Sequence, residues 1–242
     1  RPDTSTPHST RAIPGIAPGT ADRLTLTEGL RSRVLLREGD VIHPGKGLRA
    51  GANNDYLAFF ADPADPARAT LWMNHEAPGL LGAAASAASG ETYRLPKNRT
   101  DFHQSRAMVG GSRVGLRRDA SGEWQVDFGD PLNFRVDGTT PIALSQPLGG
   151  RRVAEGTLGN CAGGQTPWGT VLTCEENHLY YYGDSRWQDG APHSFIHPNP
   201  KRRFEWQQHA ANSPDDYGWV VEVDLKTGRS TKQIALGRCF HE

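Results

Sequence analysis

Gly159-Asn160-Cys161-Ala162-Gly163-Gly164-Gln165-Thr166-Pro167-Trp168-Gly169-Thr170-Val171-Leu172-Thr173-Cys174-Glu175-Glu176-Asn177 is the stretch around which the chain is organised. It opens as a glycine turn carrying a thiol beside an amide, rises through a short β-branched run, and closes on two carboxylates and a second amide. Gly159, Gly163 and Gly164 permit positive φ and close backbone approach, so a loop built here can wrap a small object. Thr170 to Thr173 reads as a strand, because Thr, Val and Leu suit a pleated, half-buried surface. Such a strand delivers Glu175 and Glu176 to the rim of the core, where unpaired charge is costly. A bound cation relieves that cost. Carboxylate oxygens suit Ca²⁺ or Mg²⁺ and a thiolate suits a softer transition metal, so the stretch points to a site with more than one kind of metal. A plainer reading of the same residues stands beside it: Cys161 and Cys174 as buried apolar groups or a disulfide, Glu175 and Glu176 as a solvated strand end, and the glycines as a turn.

The 242 residues suffice for one large domain or two small ones. With 27 basic and 27 acidic residues the chain carries no global field that would draw it to nucleic acid or an anionic membrane. No apolar run approaches the roughly 18 residues of a spanning helix, and Arg1-Pro2-Asp3-Thr4-Ser5 is no signal core. Either the protein is cytosolic or a targeting segment has been removed. Three cysteines are too few for a disulfide scaffold and odd in number, which leaves at least one thiol free or bound to metal. The 28 glycines and 17 prolines favour short strands joined by tight turns over helices.

Outward from the central stretch the same design repeats. Residues 1–20, rich in Pro, Thr, Ser and Gly, read as an extended arm. Residues 33–40 read as a strand closed by a turn. In Asn53-Asn54-Asp55-Tyr56-Leu57-Ala58-Phe59-Phe60 polar residues precede a buried strand and mark the edge of a site, and residues 68–76 end an apolar strand on Asn74-His75-Glu76. His75 beside Glu76 has the types for metal binding or acid–base work, and equally for satisfying backbone groups at a strand end. The Ala-rich Leu80 to Ala88 predicts one short helix. Residues 108–116 and 123–126 read as a hairpin, as do 217–224 and 230–236. Tyr180-Tyr181-Tyr182 reads as an aromatic edge and Ser185 to Trp206 as a solvated loop; its basic cluster 201–203 is too short to bind nucleic acid. Strand pairs over most of the length predict an all-β fold, a β-propeller in preference to a sandwich. Its strands would bring the polar ends 53–55, 74–76, 175–177 and 241–242 to a shared face. Because successive strand residues face opposite sides, Glu176 rather than Glu175 is expected in the channel.

The central motif, Asn160 to Gly164 with Thr166 to Thr170 and Leu172 to Asn177, resembles that of the PhoX alkaline phosphatases. Asn53 to Tyr56, Asn74 to Glu76, Thr140-Pro141-Ile142, and Tyr217 to Asp224 through Gly237-Arg238 to His241-Glu242 are similar to the same family in the same order. The resemblance implies a six-bladed β-propeller whose central site holds Fe³⁺ and Ca²⁺ and hydrolyses phosphate monoesters, in a protein exported to the periplasm or outside the cell by the twin-arginine route. It implies Cys161 as the thiolate ligand of iron, Glu242 as a glutamate ligand of iron, Glu175 and Glu176 as carboxylates at the metal cluster, and Asn160 and Glu176 as catalytic residues. Family members are considerably longer than this chain, and Cys239 before Phe240-His241-Glu242 departs from the pattern. The expectation is therefore that these residues cover the N-terminal part of the propeller, 21–242, and that a further C-terminal segment completes both blade and metal site. Two rival functions remain at this level: a non-catalytic, calcium-binding propeller that docks a partner, and a metal-dependent hydrolase of another ester.

Overall fold

The computed structural model describes residues 13–79, 95–198, 204–210 and 212–240. Two units divide the chain, residues 1–35 and residues 36–242. In the first, residues 13–35 contain bends and one turn but no helix or strand, so the irregular segment continues past the composition break at residue 20. The strand expected over 33–40 is absent. Instead the Arg37 amide donates to the Asp40 carboxylate at 2.7 Å and Gly39 adopts φ +77°, which closes a turn.

Among its described residues the second unit is all-β apart from one helix and short 3₁₀ turns. Its strands are β1 (Val41–His43), β2 (Leu48–Arg49), β3 (Asn54–Ala61), β4 (Arg68–His75), β5 (Gly110–Arg118), β6 (Trp124–Val126), β7 (Phe134–Val136), β8 (Pro141–Leu148), β9 (Arg151–Glu155), β10 (Asn160–Gln165), β11 (Thr170–Glu175), β12 (Asp184–Gln188), β13 (Ala191–Phe195), β14 (Val220–Asp224) and β15 (Ser230–Lys232). Of the two larger sheets, one runs β3-β4-β5-β6 as an antiparallel meander, with β7 also on β5, and the other has the order β10-β11-β14-β15-β8-β9, antiparallel except where β15 meets β8; β1–β2 and β12–β13 form separate pairs. Aspartates close the turns. Asp62 and Asp65 accept the Ala64 and Ala67 amides between β3 and β4, and Asp119 accepts those of Ser121 and Glu123 between β5 and β6.

Alternation explains which faces meet. Ala58, Trp72 and Val136 join Ile142, Val171, Val221, Val223 and Leu225 in one apolar cluster between the two sheets. A second cluster is aromatic: Phe102, Tyr181, Tyr182, Phe204, Trp206 and Tyr217, with Ala77, Val109 and Leu158. Tyr182 stacks on Tyr217 at 5.0 Å, and Trp206 meets Tyr181 edge-on at 4.8 Å. Two expectations are corrected here. The aromatic edge at 180–182 is core at Tyr181 and Tyr182, and the solvated loop 185–206 holds the hairpin β12–β13 and ends in the fully buried Trp206. Rings that remove this much apolar surface from water dominate their surroundings, whatever the polarity of their neighbours in sequence.

The helix α1 (Arg99–Met108) begins at Asn98, whose side chain accepts the Asp101 amide at 2.9 Å, and buries Phe102, Ser105 and Arg106 on one face. The cap and the i, i+3, i+4 spacing are both in the sequence. The helix expected at Leu80 to Ala88 lies outside the described residues. Among the described residues, no helix is long and apolar enough to cross a membrane.

Candidate metal centre

Three donors from three separate segments converge. Asp55, Glu76 and Cys161 each offer a ligand atom, and these atoms all lie within 4.8 Å of one another. Cys161 Sγ stands 2.8 Å from Asp55 Oδ2. Asp55 is exposed, Glu76 and Cys161 half-buried, so the group is open on one side.

Irregularities in the strands aim these side chains. On β3 the register runs Asn54↔His75 and then Leu57↔Met73, so three steps oppose two and an extra residue bulges out around Asp55. On β10 it runs Asn160↔Glu175 and then Gly163↔Thr173, which puts a second bulge at Cys161 and Ala162. A bulge breaks the two-residue alternation and re-aims a side chain. Glu76 follows directly on β4; its amide donates to Asn53 O at 3.0 Å and its carbonyl accepts Tyr181 Oη at 3.0 Å. Asn53 itself takes φ 48°, a left-handed conformation that asparagine tolerates.

The other residues expected at the site take different places. Glu175 is fully buried: Oε1 accepts Lys232 Nζ at 2.7 Å, and Oε2 accepts the Gly218 and Trp219 amides, each at 2.9 Å. Its charge is answered by the protein, and it is not a member of the three-donor group. Asn160 is likewise fully buried; its amide exchanges hydrogen bonds with Thr157 Oγ1 and donates to Thr173 Oγ1, which braces the start of β10. Glu176 is buried at 7 % exposure, accepts the Asn177 side-chain amide, and stands outside the three-donor group. Its backbone explains a glycine. A Cβ on Gly159, whose φ is +60°, would lie 2.1 Å from Glu176 O. Glu242 lies outside the described residues. Among the described residues no disulfide joins Cys161 to Cys174.

His75 is fully buried; its Nε2 meets Ser112 Oγ at 2.7 Å and the Gly51 amide at 3.3 Å. Burial first, and Arg135 second, hold its pKa well below the ordinary histidine value, so it serves as a neutral acceptor behind the site. Sequence reasoning reached Glu76 only as half of a His75–Glu76 pair with metal-binding types, and Asp55 only as part of a site edge. The signal was present as polar ends on two apolar strands, but which polar residue turns inward depends on the bulges.

The residue types and spacing suit a metal. Donors about 2.0–2.6 Å from one ion stand no more than about 5 Å apart, as these do. One sulfur and two carboxylates combine a soft donor with hard ones. Taken together, fold and site define an all-β protein in which one thiol and two carboxylates converge at the bulged ends of its strands.

The family model described as Alkaline phosphatase PhoX matches residues 12–242, and the chain belongs to that family. Among solved structures it is similar to Pseudomonas fluorescens PhoX in complex with vanadate, a transition state analogue, with a TM-score of 0.72 and 27 % identity over 90 % of this chain. The chain spans 43 % of that protein's length. No curated protein sequence matches it.

Proposed function

We propose that the protein hydrolyses phosphate monoesters with metal ions held at Asp55, Glu76 and Cys161, as an alkaline phosphatase of the PhoX family. The convergence of these three donors within 4.8 Å carries the reading. Family membership and the vanadate complex of the solved relative support it, vanadate there being a transition state analogue.

When bound, the cations would neutralise phosphate oxygens and stabilise the charge that develops as the ester is displaced. Cys161 would hold iron through its thiolate, while Asp55 and Glu76 would supply hard oxygens suited to Fe³⁺ or to Ca²⁺. The exposed side of Asp55 leaves an approach for a small ester. The two antiparallel meanders, β3-β4-β5-β6 and β10-β11-β14-β15, have the build of propeller blades. The reading makes them part of a six-bladed propeller completed by a further C-terminal segment, which would also add ligands. Export to the periplasm or beyond belongs to the same reading.

The test is metal analysis of the full-length protein alongside hydrolysis of para-nitrophenyl phosphate. Iron and calcium in the purified protein, with turnover lost on chelation and restored by the two metals, are expected. Full turnover in metal-depleted protein would refute the proposal.

A further inference from the structure

The bulge that aims Cys161 interrupts the register between β10 and β11 at residues 161 and 162, and one side chain donates to both carbonyls there. Asn74, fully buried near the end of β4, donates from Nδ2 to Cys161 O at 2.7 Å and to Ala162 O at 3.1 Å. Its Oδ1 accepts Trp72 Nε1 at 2.8 Å. The indole can only donate, so it fixes which way the amide faces and directs the NH₂ group at the bulge. Asn74 is also two residues from Glu76. A single buried amide thus couples the strand that ends in one donor to the bulge that carries another.

We infer that Asn74 is the positioning residue of the metal centre: it holds the Cys161 bulge in the shape that brings Sγ to Asp55 and Glu76. The inference rests on the metal reading above. No other residue type of this size serves. Aspartate keeps the volume but turns oxygen toward two carbonyl oxygens, and leucine removes the donor to both carbonyls and the acceptor of the indole N–H.

The experiment titrates metal-depleted full-length protein with Co²⁺, following the thiolate-to-metal absorption band, for the wild type and for Asn74→Asp, Asn74→Ala and Cys161→Ser. The rate of Cys161 alkylation by iodoacetamide without metal is a second readout, independent of activity. Both Asn74 variants are expected to bind Co²⁺ about 10–100-fold more weakly, the range for loss of a group that orients a ligand. Their thiolate band should shift and their Cys161 alkylation rate should change, while the thermal transition stays cooperative. Should Asn74→Ala fail to fold, Trp72→Phe decides, since it frees the amide to turn and should move the band in the same direction. Wild-type affinity, band and alkylation rate in any folded Asn74 variant would overturn the inference alone. A wild type that gives no band lost in Cys161→Ser would overturn the metal reading and the inference with it.

Discussion

Lys232 Nζ lies 2.7 Å from Glu175 Oε1, and both side chains are excluded from solvent. Lys232 also donates to Asp216 O at 2.5 Å and sits 4.6 Å from the centre of the Tyr217 ring. Glu175 spends its second oxygen on the Gly218 and Trp219 amides. The pair ties the end of β11 to β15 and to the turn before β14. Removing one partner strands a buried charge, which costs about 3–5 kcal/mol. Lys232→Met should lower the free energy of unfolding by that amount in urea, and Glu175→Gln/Lys232→Met should recover part of the loss. A cost below about 1 kcal/mol for Lys232→Met would show the pair to be dispensable.

Metal content should separate the two kinds of carboxylate. Asp55→Asn and Glu76→Gln are expected to reduce bound metal by at least about tenfold with little change in folding, since each removes a donor of the three-membered group. Glu175→Gln should retain metal in whatever fraction folds. Elemental analysis of the folded protein checks this, and metal lost from Glu175→Gln but retained in Asp55→Asn would reverse the assignment.

His178 sets an acid limit. It is buried at 3 % exposure, and burial followed by the charge of Arg238 brings its pKa from 6.5 down to about 4, against the opposing pull of Asp184, with Lys232 adding to the fall. Because the folded value lies below the unfolded one, the unfolded chain takes up the proton first as pH falls. Stability is then fully present above about pH 6.5 and is lost progressively down to about pH 4, by on the order of 3 kcal/mol. His178→Asn should flatten that limb of the stability profile measured in urea. An unchanged slope between those pH values would remove His178 from the account.

Gly111 controls a ring that reaches the site. A Cβ there would lie 2.1 Å from Trp72 Cζ2, and Trp72 is fully buried. Gly111→Ala should cost about 1–3 kcal/mol through overpacking. It should also disturb the bond from Trp72 Nε1 to Asn74, lowering metal affinity more than Gly129→Ala, at an exposed turn, would. Calorimetry and metal titration of the purified variant measure both effects.

The sequence by itself determined the all-β class, the main hairpins and the chemical importance of the stretch around Cys161. Period-two alternation and turn residues are local signals, and the central motif is long enough to mark its family. It also carried the cap and spacing of α1, which went unread beside an Ala-rich neighbour. Only the tertiary structure decided that Cys161 faces Asp55 and Glu76 rather than Glu175, and that Tyr181, Tyr182 and Trp206 form a core. The reason is physical. A bulge shifts which side chains face inward without altering composition, and whether a buried carboxylate meets a cation or a lysine depends on a partner that for Glu175 lies on a different strand, at Lys232.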